Sequence, residues 1–302
     1  MGEKREAVWV WMLGGFRVSV GSRTITQDAW HLRKAATLVK VLALSPGHRM
    51  HREQAMDLLW PDLGRRAASN NLRHALYTAR GTLDPAAGSR YLASQDESLV
   101  LHPGGDLWVD VEAFEEATST ARRARDPVAY RAALELYADE LLPGDRYEEW
   151  AEGRRQELRH TWLSLHLELA RVYEVRGEYE KGIELLQRAL LEEPTNEQMH
   201  AGLMRLYTFS ERREEALAQY QRLVEALSGQ LDAQVSPTTE RLRDEIAAGT
   251  LLPSQPTGAP TQEPSDTAKH NLPASRTSFV GREHEMMEIK RHLAMTDRKS
   301  VV

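Results

Sequence analysis

The chain has 302 residues, no cysteine, 41 % apolar side chains and a net charge of −6. That length suits two or more domains, the lack of cysteine excludes disulfides, a thiol nucleophile and cysteine-based zinc sites, and no apolar run approaches the roughly 18 residues that would span a bilayer. The charge divides unevenly, +3 over 1–110, −10 over 111–250 and +1 over 251–302, with +6 concentrated in 30–83; a basic patch beside an acidic region suits a nucleic-acid module joined to an interaction module.

Residues 8–27 alternate as strands do. VWVWML, FRVSV and RTIT are separated by Gly14-Gly15 and Gly21-Ser22, which predicts a small antiparallel sheet with tight turns. Trp9 to Leu13 is too short for the apolar core of a secretion signal, so a cytoplasmic protein is expected. A helix is expected over 30–44, stopped by Ser45-Pro46-Gly47. Two more follow over 51–59 and 65–83, joined by a Pro-Gly turn and closed by Asp84-Pro85. Tyr91 to Ser94 and Leu99 to Leu101 then flank Gln95-Asp96-Glu97-Ser98, a β-hairpin pattern. Sheet, three helices and hairpin make a winged helix-turn-helix domain of α+β class.

The helix over 65–83 has two faces. Leu72, Leu76, Ala79 and Leu83 recur at spacings of three and four and form an apolar stripe. Opposite them stand Asn70, His74 and Tyr77, flanked by Arg66, Arg73, Thr78 and Arg80. Arginine suits guanine and phosphate, and asparagine can pair bidentately with adenine. Asn70, Arg73 and His74 lie in the N-terminal half that usually enters the groove and are the candidates for bases. Arg66 and Arg80 are candidates for phosphates, which position without specifying. Tyr77 is expected to stack on a sugar, touch a thymine methyl or cap the core. Arg90, at the hairpin base, is a further phosphate candidate. Gln95, Asp96 and Glu97 at its tip are not basic, which argues against deep minor-groove insertion. The alternative for this face is an ordinary solvated helix surface.

Residues 111–250 read as almost continuous helix. Ala170, Tyr173, Gly177, Gly182, Leu186, Ala189 and Pro194 stand in the register of a tetratricopeptide repeat, and a 34-residue offset gives Tyr207, Ala216 and Tyr220 at equivalent places. Gly182 stands where alanine is usual, and Met204 where a small residue is usual. The chain is thus expected to be mainly α, a winged helix followed by an all-α tetratricopeptide-like domain. Residues 251–275 hold five prolines and almost no large apolar groups, the composition of a flexible linker.

Residues 8–102 resemble the DNA-binding domain of the OmpR/PhoB type. The run Leu58-Leu59-Trp60-Pro61-Asp62 resembles one branch of it, the Streptomyces antibiotic regulatory protein family of bacterial transcriptional activators. Val109-Asp110-Val111-Glu112-Ala113-Phe114, Leu141-Leu142-Pro143-Gly144, Glu149-Trp150 and Arg154 resemble the transcriptional activation domain that follows the winged helix in those regulators. Glu197, His200, Leu203-Met204, Ala216-Leu217 and Tyr220 continue that likeness. Phe279-Val280-Gly281-Arg282-Glu283 and the amphipathic segment after it resemble the opening of a signal-transduction ATPase domain, so the chain reads as part of a larger regulator. The expected division is a winged helix over 1–110, an activation domain over 111–250, the linker over 251–275 and the start of the ATPase domain over 276–302.

The resemblance implies a nucleoid-associated activator that binds promoter direct repeats as a dimer. It implies recruitment of RNA polymerase holoenzyme, through the sigma factor and the C-terminal domain of the alpha subunit, and control of antibiotic or other secondary-metabolite genes. It also implies polymerase contact by the turn Pro61, Asp62, Leu63, Gly64 and Arg65.

Enzyme chemistry is not expected. Glu148-Glu149, Glu178/Glu180 and Glu192-Glu193 lie on polar faces or at turns. The eleven histidines show no HExxH, and His48/His51 lack a third ligand nearby. There is no G-x-S-x-G. No phosphate-loop motif occurs, so no cofactor is expected here, ATP being a matter for a longer parent. Two other functions stay open: a protein-interaction scaffold working through 111–250, and the regulatory part of a nucleotide-dependent signalling ATPase.

Overall fold

In the computed structural model, residues 6–85, 90–230 and 233–251 are described. The expected ATPase opening and all but the first residue of the expected linker lie outside the described residues.

Two small sheets frame the first half. β1 (Val8–Trp11) pairs antiparallel with β2 (Arg17–Val20), and β2 with β3 (Arg23–Thr26). Strand alternation buries Val8 and Val10 and leaves Trp9 and Trp11 half-buried. A fourth strand, β7 (Leu107–Val109), lies parallel to β1 with Val8 opposite Leu107. It was not expected: three residues are too few to show alternation. A second unexpected strand, β4 (Arg49–His51), joins β6 (Ser98–Leu101), which pairs with β5 (Leu92–Gln95). Asp96 and Glu97 close the β5–β6 hairpin with φ of 44° and 61°, the left-handed conformation that two-residue hairpin turns require at both positions.

Between the sheets lie three helices. α1 (Arg33–Leu44) begins three residues later than expected: Trp30 packs against Phe16 with ring centroids 5.5 Å apart, and Leu32 is still extended. Its residues 35–43 are all buried, the mark of a central helix that is apolar all round. The Ser45 hydroxyl donates to the Val41 carbonyl at 2.7 Å, and Gly47 turns the chain at φ 61°. α2 (Arg52–Leu59) opens on a capping box: His51 Nδ1 accepts from Glu53 N, and Gln54 Oε1 accepts from His51 N. It ends at Trp60, before Pro61. α3 (Arg65–Leu83) follows.

The second half is helical: α4 (Asp110–Ala124), α5 (Pro127–Leu136), α6 (Glu149–Val175), α7 (Tyr179–Glu192), α8 (Glu197–Phe209), α9 (Arg213–Gln230) and α10 (Pro237–Ala248). Asp126, Asn196 and Ser236 cap α5, α8 and α10 through their side chains. α7 and α8 approach closely at Gly182, where an added Cβ would meet Leu206 Cδ1 at 2.9 Å. That contact explains glycine where the repeat pattern usually has alanine.

The core runs unbroken from Val8 to Tyr173, across the expected boundary at 110, and a second cluster gathers Ala170 to Ile246. Three sets of contacts join the halves. The buried Asp110 carboxylate, at the head of α4, accepts from Met12 N, Leu13 N and Val111 N at 2.7, 2.8 and 2.8 Å. Burial pushes its pKa up to about 6, although those three donors and Arg17 favour the charged form. Leu142 N donates to Met12 O, and Gly14 N to Glu140 O. Lys40 of α1 reaches Asp145 in the 138–148 loop, and Arg33 reaches Glu148 at 2.9 Å.

Candidate nucleic-acid interface

α3 is held by its apolar stripe. Ala68, Leu72, Ala75, Leu76, Ala79 and Leu83 are buried and pack the helix onto α1 and α2. Each leucine so buried contributes about 1.5–3 kcal/mol, enough to fix which face looks outward. That outward face carries Arg66, Asn70, Arg73, His74 and Tyr77, all exposed, Tyr77 at 79 %. Thr78 is half-buried at its edge. Arg73 makes one long contact, 3.4 Å from Nη1 to Asn70 Oδ1. Arg66, His74 and Tyr77 make no hydrogen bond or ion pair among the described residues.

The N-terminus of α3 is open. Gly64 offers no side-chain cap and the first turn holds no acid. Free N–H groups and the positive end of the helix dipole favour an anion there. Arg65 ion-pairs with Glu53 of α2 at the surface. All four residues of the turn Pro61, Asp62, Leu63, Gly64 are exposed, Leu63 at 42 %.

The other arginines named from the sequence have protein partners. Arg80 Nε donates to Leu92 O at 2.8 Å and Nη2 to Ser94 Oγ at 3.0 Å, both on β5. Burial, with Arg52 nearby, lowers its pKa from the ordinary arginine value. Arg90 ion-pairs with Asp84 at 3.4 Å. The hairpin tip, Gln95, Asp96 and Glu97, is exposed and acidic.

Three basic side chains beside this face escaped sequence reading. Arg23, on β3, donates from Nη1 to Thr82 O at 3.0 Å and from Nη2 to Leu83 O, satisfying the last carbonyls of α3. Arg23, His31 and Arg52 line an open groove of about 1030 Å³ together with Arg73, Tyr77 and Arg80. Nothing local marks them, because their nearness to α3 comes from chain folding over 20 residues or more. The carboxylate pairs of the helical half are tied into ion pairs: Glu148 with Arg33, Glu178 with Lys181, Glu180 with Arg212 and Glu193 with Arg159. Among the described residues no three metal-ligating side chains converge. The surface thus offers cations, amides and an aromatic ring.

Residues 109–247 match the family model of the bacterial transcriptional activator domain. The solved structure of Mycobacterium tuberculosis EmbR in complex with low affinity phosphopeptide is similar in fold, with a TM-score of 0.66 and 19 % identity, over 83 % of this chain and 67 % of that chain. No curated protein matches the sequence. A winged helix joined to this domain defines a bacterial transcriptional activator. The match over 109–247 is in keeping with the resemblance to the Streptomyces antibiotic regulatory protein family.

Proposed function

We propose that the chain activates transcription by placing α3 in the major groove of promoter DNA. The observation that carries this is a helix locked on one face and bare on the other, with Asn70, Arg73 and His74 exposed in its N-terminal half. These three read base edges. Arg66 and the uncapped N-terminus of α3 hold phosphates. Tyr77 packs on the sugar-phosphate edge. The family supports binding to direct repeats by a head-to-tail dimer, with the 61–65 turn and the acidic helical half contacting polymerase holoenzyme, at genes of secondary metabolism. No helix of the described residues is long and apolar enough to cross a membrane, in keeping with work in the cytoplasm at the nucleoid.

The test is a titration of operator and random duplexes at fixed salt, with the operator first located by footprinting on the promoter beside the chain's own gene. Arg73→Ala should weaken operator binding more than random binding. Equal losses would make Arg73 a phosphate clamp, and no binding to any duplex would overturn the reading.

A further inference from the structure

Arg66, Arg73 and Arg80 stand seven residues apart, so they share one flank of α3. The first two are exposed, while Arg80 is half-buried and engaged. Its guanidinium bridges two alternate residues of β5, the Leu92 carbonyl and the Ser94 hydroxyl. A rigid planar fork can make both bonds at once, and an ammonium cannot reproduce that geometry. The hairpin is paired with β4 and buries Leu92, Leu99 and Leu101, and Arg80 adds a side-chain tie to α3. Its tip carries Asp96 and Glu97, so phosphate would repel the wing and cannot draw it into place. It is held from behind, by β4 and the core on β6 and by Arg80 on β5.

We propose that Arg80 is a positioning residue that clasps the β5–β6 wing to the recognition helix and acts on DNA affinity through the wing, without touching phosphate. This rests on the DNA-binding reading above. Arg80 thereby differs in role from Arg66, although both are arginines on the same flank.

The experiment compares the full chain with Arg80→Lys, which keeps the charge, and with Ser94→Ala, which removes one of the two acceptors. Amide hydrogen exchange is measured over residues 92–101 in the free protein. Duplex affinity is measured across a salt series. Losing bonds of this kind should speed exchange in the hairpin roughly tenfold in Arg80→Lys, and less in Ser94→Ala, while the amides of α3 stay protected. Duplex affinity should fall in both variants with the salt dependence unchanged. Unchanged hairpin exchange would overturn the clasp. So would an Arg80→Met variant whose salt slope drops by about one, the signature of a lost phosphate contact. If the parent chain binds no duplex, the DNA reading fails, and the exchange measurement alone decides the clasp.

Discussion

Lys40 and Asp145 form a buried ion pair, 2.5 Å from Nζ to Oδ2, with 2 % and 4 % of their side chains exposed. One belongs to the central helix of the winged half and the other to the loop before α6. The ammonium also lies 4.5 Å from the centre of the Phe16 ring. Removing one partner strands a charge in the core, which costs about 3–5 kcal/mol. Asp145→Ala should therefore lower stability by that order in denaturant unfolding. The double substitution Lys40→Met with Asp145→Leu should cost less than either single change. Additive losses would show that the two charges do not depend on each other.

Arg66 and Asn70 should separate in kind. Arg66→Ala is expected to weaken all duplexes alike and to flatten the salt dependence by about one unit of slope. Asn70→Ala should leave the slope alone and reduce discrimination among operator variants by about 1–3 kcal/mol. A salt series on matched and mismatched duplexes checks both.

Asp110 makes stability depend on pH. Its folded pKa of about 6 lies above the ordinary 3.8, so the folded chain binds this proton more tightly than the unfolded chain does. The stabilising contribution is full below the ordinary value and is lost as pH rises through about 6. Unfolding midpoints of the parent and of Asp110→Asn, taken across that window, should differ in slope, the parent losing more as pH rises. Parallel curves would contradict the burial argument.

Glycines in the helices should not behave alike. An added Cβ at Gly153 of α6 meets nothing within 4 Å, whereas one at Gly182 meets Leu206 Cδ1 at 2.9 Å. Gly153→Ala should gain about 1 kcal/mol from helix propensity. Gly182→Ala should show no gain, because overpacking opposes it. Thermal unfolding of the two variants is sufficient.

The wing tip offers a gain on two counts. Asp96→Asn with Glu97→Gly gives the turn its preferred residues and removes two negative charges. The variant should unfold at higher denaturant and bind random duplex more tightly. Weaker duplex binding would show that the acidic tip takes part in an attractive contact.

What was legible in the sequence was local. The spacing of Leu72, Leu76, Ala79 and Leu83 showed the buried stripe of α3, and all four are buried. The hairpin around Asp96-Glu97 stands where the turn residues put it. The 3.6-residue period and turn chemistry are written within a few residues, so they can be read directly. The clasp by Arg80, the cap by Arg23 and the strands β4 and β7 depend on partners 12 to 99 residues away, and a single sequence carries no periodic sign of such pairs. Lys40 did leave a trace: it is the one charge inside the apolar run Ala35 to Leu44, where a buried cation must find an acid.

The pairing of β1 with β7 has a consequence for biosynthesis. Val8 meets Leu107 across a loop that encloses the whole winged half, and such distant pairings close late. On a ribosome delivering the chain from its N-terminus, the first sheet stays one strand short until residue 109 has emerged. By then the head of α4 is following it out. The winged half therefore finishes folding with the start of the helical half already in hand, and a cut placed near residue 105 would leave an open sheet edge where a clean module is wanted.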